Sequence, residues 1–274
     1  MTEQRPFTSR EDIMLAEEYA GMFDLSGKVV LVAGGTGAIG GEMAAAIAGC
    51  GASVAVAGLA KEDPEAAAQK IIDRGGKAVG LPLNLMDAAS LQETVAAVEA
   101  QLGPLHAMIN AAGTHIEQTA EEMTPEAWDF VLSVNLRGAF FLSQAAARSM
   151  IANQIGGSIV HVTSVRSGLG IRRGYAAYCA SKGGLGILIK QLASEWAKYG
   201  IRVNGIAPTF TRTPLVESYL NDPAFYNALV ERIPLGRVCE TRDLAGIAVF
   251  LASDASSFIT GQNIFVDGGV TATQ

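Results

Sequence analysis

Tyr178 and Lys182 stand four residues apart in the stretch Tyr178-Cys179-Ala180-Ser181-Lys182. On a helix, that spacing puts a phenol and an ammonium on one face, one turn apart. A phenol titrates near pH ~10 in water and is a poor acid-base group at neutral pH, but a neighbouring ammonium favours the phenolate. The expectation is therefore a Tyr178 with a lowered pKa, able to give and take a proton. The same spacing also describes an ordinary surface Tyr and Lys pair, and alone it decides nothing. Leu185, Leu188, Leu192 and Trp196 continue the segment as an apolar stripe, which reads as core packing.

A second constellation is Gly34-Gly35-Thr36-Gly37-Ala38-Ile39-Gly40, directly after a β-branched run and before an alanine-rich segment. Glycines at a strand-to-helix turn allow close backbone approach, and the helix N-terminus offers free N–H groups to a pyrophosphate. A flexible turn is the plain alternative; the flanking strand and helix favour nucleotide binding. The next strand ends at Ala57-Gly58-Leu59, where an acid for the adenosine ribose is expected in an NAD site and none stands. Lys61 lies just beyond and suits a 2'-phosphate, so the reading favours NADP over NAD, although a loop lysine is often merely solvated.

These residues need elements to hold them. From Lys28 onward, short β-branched runs alternate with longer Ala-rich segments, the pattern of repeated strand-helix-strand units. Strands are expected near 28–33, 53–57, 77–81, 105–109, 157–163, 201–206 and 263–266, with helices between. Asp63-Pro64 and Thr124-Pro125-Glu126 are helix starts, and Gly75-Gly76 is a stop. The fold class expected is α/β: a single doubly wound parallel sheet of Rossmann type, about seven strands with helices on both faces. Residues 24–274 form one dinucleotide-binding catalytic domain, and residues 1–23 a helical extension carrying Ile13, Leu15 and Tyr19.

Hydrophobic residues make up 49% and charged residues 17% of the 274, enough apolar side chain for a large core. A net charge of -7 disfavours nucleic acid and anionic membrane as main partners. Cys50, Cys179 and Cys239 have neither disulfide-framework nor zinc spacing, which reads as reduced thiols in a cytoplasmic protein with no metal site. The uncharged run 43–60 is interrupted by Gly49, Gly51 and Gly58 and reads as a helix handing over to a strand, and the N-terminus lacks the apolar core of a secretory signal.

Taken in order, the motifs resemble those of the short-chain dehydrogenase/reductase family over roughly residues 24–270. Gly34, Ala38 and Gly40 match its nucleotide loop, Asn84-Leu85 the pair near the adenine, and Asn110-Ala111-Ala112-Gly113 the stretch after its fourth strand. Asn135 matches its helix asparagine, Ser164 the serine closing the fifth strand, and Tyr178 with Lys182 its acid-base pair. Pro208 to Thr213, including Thr211, resemble the segment that meets the nicotinamide carboxamide; Thr260-Gly261-Gln262 and Val266-Asp267-Gly268-Gly269 resemble its C-terminal end. Four departures stand out: Ala33 for a threonine, Ala38 for a glycine, Thr209 for a glycine, and Ser164 fourteen residues before Tyr178, a longer spacing than in many members.

The resemblance implies hydride transfer between a nicotinamide cofactor and an alcohol or ketone, closest in look to sugar-acid and polyol dehydrogenases of the gluconate 5-dehydrogenase kind. A 3-oxoacyl thioester reductase is the alternative within enzymes, and a non-catalytic dinucleotide-binding regulator the alternative outside them. The resemblance further implies that Ser164 holds the carbonyl oxygen, that Lys182 grips the nicotinamide ribose, that Asn135 positions water leading to Lys182, and that the chain is a homotetramer. For the last, the apolar segment from Phe258 to Val266 adds a reason. Arg166, Arg172 and Arg173, in the loop between Ser164 and Tyr178, with His115 bordering the same pocket, suggest a small, anionic substrate, although each arginine alone is as well explained by solvent or an acid partner.

Overall fold

A computed structural model describes residues 16–273. In chain order these form α1 (Ala16–Gly21), β1 (Val29–Ala33), α2 (Ala38–Gly49), β2 (Ser53–Gly58), α3 (Pro64–Ile72), β3 (Lys77–Pro82), α4 (Ala88–Leu102), β4 (Ala107–Asn110), α5 (Pro125–Leu132) and α6 (Ala139–Ala152). There follow β5 (Ser158–Val162), α7 (Ala176–Trp196), β6 (Arg202–Pro208), α8 (Glu217–Leu220), α9 (Pro223–Val230), α10 (Ala245–Ala252) and β7 (Asn263–Val266).

All seven expected strands are present, each within two residues of its expected limits, in one sheet of order β3-β2-β1-β4-β5-β6-β7. Every pairing is parallel. Such a sheet is covered on both faces, which is why β1 is a continuous apolar run, Val-Val-Leu-Val-Ala, buried throughout. Its side chains alternate: Val29, Leu31 and Ala33 join the core under α4, α6 and α7, while Val30 and Val32 join the core under α2, α3 and α10.

Strand order reverses direction between β1 and β4, and in open α/β sheets a crevice forms at the carboxyl ends of the strands there. Gly34, Ala111 and Ser164 follow β1, β4 and β5 at that end. The expected helix starts are real caps: the Asp63 carboxylate accepts from Ala66 N at 3.0 Å and the Thr124 hydroxyl from Ala127 N at 3.2 Å, each with proline at the first helical position.

The uncharged run 43–60 divides into α2 and β2, as expected. α5 and α6 form one continuous helix from Pro125 to Ala152, joined by a π-helical turn at Ser133–Gly138. Its length and apolarity would suit a membrane, but Leu142, Ala146 and Met150 are fully buried against the sheet. Of the N-terminal extension, Ile13 and Leu15 lie outside the described residues. Its end docks on the body: Met22 O accepts from Ala255 N at 3.1 Å, and the Phe23 ring lies 6.4 Å from that of Phe250.

Candidate active site

A cavity of about 980 Å³ opens at the carboxyl end of the sheet, lined by Ser164, Tyr178 and Lys182 together. Tyr178 and Lys182 sit in the first two turns of α7, and the Lys182 ammonium lies 5.7 Å from the Tyr178 ring centre. Lys182 is almost fully buried and donates to Val162 O at 2.8 Å, at the end of β5. Burial pushes its pKa down from 10.5 to about 8.

The expected lowering of the Tyr178 pKa is not what the geometry gives. Burial raises it, opposed by the Ser164 hydroxyl beside it. The reason is that Lys182 points past the phenol to the Val162 carbonyl, so desolvation outweighs any ammonium effect. A phenol held above its usual pKa is protonated at neutral pH, the state required of a proton donor.

Ser164 caps a short 3-10 turn, its Oγ accepting from Arg166 N at 3.1 Å. Its backbone is held from the sheet edge: Ser167 Oγ donates to Ser164 O at 2.7 Å and accepts from Asn263 Nδ2 at 2.9 Å, while Thr163 Oγ1 donates to Asn263 Oδ1 at 2.6 Å. Asn135 lies in the π-helical turn, an irregularity common at functional sites. Its Oδ1 accepts from Thr114 N at 2.8 Å, and its Nδ2 donates to Thr114 O at 2.8 Å and Ser181 Oγ at 3.0 Å. Both amide hydrogens are thus engaged, and one acceptor lone pair of this side chain stays open. Gly184 in α7 is what allows this approach: a Cβ there would come 3.0 Å from Leu136 of the same turn.

Behind the site, the imidazole of His161 is fully buried, with Nε2 2.9 Å from Ser143 Oγ and Nδ1 3.4 Å from Asn110 Nδ2. Because Ser143 donates to Ala139 O and the Asn110 amide is a donor, the proton of a neutral ring belongs on Nε2. Burial, with Lys182 nearby, lowers this pKa to about 3, so the ring is neutral. Asn110 Oδ1 in turn accepts from Ala112 N at 3.2 Å and shapes the turn leading to Gly113, where a Cβ would stand 3.3 Å from Asn135 Oδ1 and 3.5 Å from Lys182 Nζ.

The residues fit a dinucleotide. Gly34 has φ +73°, and a Cβ on it would come 2.6 Å from Ala112 N; one on Gly40 would strike Gly34 O. Only glycine keeps this cradle open beside the start of α2, where no side chain caps the N-terminus. Ile39, Ala111, Gly113, Pro208, Thr211 and Thr213 line the cavity with the catalytic candidates. Asn84 is exposed and is not among the cavity-lining residues, its Oδ1 accepting from Met86 N at 3.0 Å, whereas Leu85 is buried in the core against Gly138.

At the end of β2 the structure supplies an acid that the sequence reading missed. Leu59 is followed by a 3-10 turn, Ala60–Glu62, which returns the Glu62 carboxylate to accept from Thr36 Oγ1 at 2.6 Å and Leu59 N at 3.2 Å. Lys61 is exposed on the same turn.

The arginines divide. Arg173 is paired with Glu117 at 2.9 Å, and Arg166 Nη1 donates to Gly170 O at 2.8 Å, bracing its own loop. Arg172 lines the cavity, joined by Arg232 from beyond α9, a residue the sequence reading did not single out. His115 also lines it, its ring 3.9 Å from that of Tyr175 and 5.4 Å from that of Tyr178.

Residues 33–271 match the family described as enoyl-(acyl carrier protein) reductase, one branch of the short-chain dehydrogenase/reductases. The chain belongs to the short-chain dehydrogenase/reductase family. It is 38% identical over 252 residues to the gluconate 5-dehydrogenase of Gluconobacter oxydans, covering 92% of this chain and 98% of that one. It is 39% identical over 249 residues to the D-threitol dehydrogenase of Mycolicibacterium smegmatis, covering 91% and 95%. A gluconate 5-dehydrogenase from Burkholderia cenocepacia, solved in complex with NADP and tartrate, superposes with a TM-score of 0.88 at 35% identity, over 92% of this chain and 98% of that one. This short-chain dehydrogenase/reductase is an oxidoreductase dependent on a nicotinamide cofactor.

Proposed function

We propose that the chain interconverts a hydroxyl and a ketone on a sugar acid or related polyol, using NADP. One observation carries this: Ser164, Tyr178 and Lys182 meet in one cavity whose other charged lining residues are all arginines, with no Asp or Glu among them. Gluconate and D-threitol dehydrogenases among the relatives support the substrate class, and the NADP complex of the Burkholderia enzyme supports the cofactor.

The nicotinamide, when bound, supplies or accepts the hydride at the reacting carbon. In reduction, the Tyr178 phenol gives its proton to the carbonyl oxygen while the Ser164 hydroxyl donates a hydrogen bond to that oxygen as charge develops on it. Lys182 holds positive charge at the rear of the phenol, and Asn135 keeps Thr114 and the adjoining Gly113 in place. Gly34, Thr36, Gly40 and the start of α2 would hold the pyrophosphate end, and Lys61 would meet the 2'-phosphate once Glu62 leaves Thr36.

The assay that tests this reading follows nicotinamide absorbance with gluconate, its neutral polyol counterpart and a 3-oxoacyl thioester, each with NAD(H) and NADP(H). Turnover confined to the thioester would replace the proposed substrate class, and cofactor binding without turnover would favour a regulator. We further propose residues 24–274 as a single catalytic domain, a cytoplasmic setting for its three free cysteines, and a homotetramer, which would cover the fully exposed Phe258 and the 41% exposed Phe265 at the β7 edge. Light scattering at micromolar concentration tests the last.

A further inference from the structure

Four arginines line the cavity, and they are not equivalent. Arg173 is neutralised by Glu117, and Arg166 has one Nη1 donor tied to Gly170 O of its own loop, which fixes its side chain while leaving its charge unpaired. Among the described residues, the side chains of Arg172 and Arg232 have neither an ion-pair nor a hydrogen-bond partner. They come from different parts of the chain: Arg172 from the loop between β5 and α7, Arg232 from the segment just after α9. Arg232 is set among apolar side chains of its own segment, Phe225, Leu229 and Ile233, which line the same cavity. Arg232 is solvent-exposed at the cavity wall, so its guanidinium is free to turn toward a ligand that enters.

We propose that Arg232, together with Arg172, binds the carboxylate of the substrate and so sets the preference for an acid over a neutral polyol. This rests on the sugar-acid reading above and names its charge-reading residue. A guanidinium presents two parallel N–H donors to a carboxylate, and both arginines line the same cavity with no existing partner to abandon. Arg173, by contrast, would first have to give up Glu117, and Arg166 is held along its own loop by Gly170 O. Arg232 is also exposed, so its replacement leaves the packed core untouched.

The test compares wild type, Arg232→Gln, Arg232→Lys and Arg172→Gln on a matched pair, a hydroxy acid and its neutral alcohol analogue, with the binding of tartrate alone by calorimetry as a second readout. Wild type is expected to favour the acid. Arg232→Gln should lower the acid-to-neutral ratio of kcat/KM by about 10- to 100-fold and weaken tartrate binding similarly, with Arg232→Lys retaining part of both. If wild type favours the acid and Arg232→Gln leaves both the ratio and tartrate binding intact, Arg232 does not read the charge, while the sugar-acid reading stands. If wild type shows no acid preference, the anionic-substrate reading fails and this role falls with it.

Discussion

Lys182→Met should abolish turnover and yet make the cofactor-free protein more stable. Lys182 is held charged in the core at neutral pH against its burial, and the drop of its pKa from 10.5 to about 8 measures that cost. At ~1.4 kcal/mol per unit this is roughly 3 kcal/mol. Methionine fills a similar volume without charge, but leaves Val162 O without its 2.8 Å charged donor, a loss of about 2 kcal/mol. The net gain is about 1 kcal/mol, or roughly 2–4 °C in Tm for a chain of this size. The pH dependence has a definite sign. Below pH about 8 the folded and unfolded states both carry the proton and the penalty is complete; between about 8 and 10.5 the folded state sheds it first, so wild-type stability rises with pH. Lys182→Met lacks this rise. His161, already neutral with a pKa of about 3, adds nothing in that window, and Tyr178, whose pKa is raised, acts in the opposite direction only above the usual phenol range. Thermal and urea denaturation of both proteins, near neutral pH and again near pH 10, measure the difference. A variant less stable than wild type at neutral pH, or a stability difference that does not shrink toward alkaline pH, would refute the argument that the burial of the Lys182 charge costs more than its one hydrogen bond returns.

Tyr178→Phe should reduce turnover at least roughly 100-fold while cofactor affinity stays nearly unchanged, because the ring remains and only the proton is lost; a variant with half the wild-type rate would sink the assignment. Because burial raises the phenol pKa, alcohol oxidation, which needs the phenolate, should climb toward alkaline pH while ketone reduction stays flat around neutrality; pH-rate profiles in the two directions check this. Glu62→Gln should raise the ratio of kcat/KM for NADP over NAD by about 10-fold, since the Glu62 carboxylate against Thr36 repels a 2'-phosphate; an unchanged ratio would show that Glu62 only caps its turn.

The sheet was readable from the sequence because a strand buried on both faces leaves an unbroken local signal, as in Val29 to Ala33, and because Asp63-Pro64 and Thr124-Pro125 announce helix starts by short-range chemistry. The features that escaped depend on pairs distant in sequence or on a turn that doubles back. Glu62 is three residues past Leu59, and only the 3-10 turn returns its carboxylate to Thr36, 26 residues away. The Arg173 and Glu117 pair spans 56 residues, so nothing near Arg173 reveals that its charge is already answered. Arg232 reaches the cavity in line with Phe225, Ala228 and Leu229, the face that α9 lays over it, and that placement is a long-range matter that the residues around Arg232 do not reveal. The direction of the Tyr178 pKa was misjudged for the same reason: four-residue spacing gives the helix face but not the carbonyl at which Lys182 points.

The π-helical turn at Ser133–Gly138 also acts as a phase shifter. An α-helix advances about 100° per residue, so one extra residue in a turn rotates everything downstream by that amount. Upstream, α5 faces α7; downstream, α6 faces α4, and Leu142, Ala146 and Met150 meet the sheet. Removing a single residue, such as Val134, would restore a regular helix and leave the two halves disagreeing by about a quarter turn. Either Asn135 would leave the site or the apolar row of α6 would leave the core. Chain length in this turn is therefore under tighter constraint than the identity of most of its side chains, and a one-residue deletion there should be far more damaging than any single conservative substitution nearby.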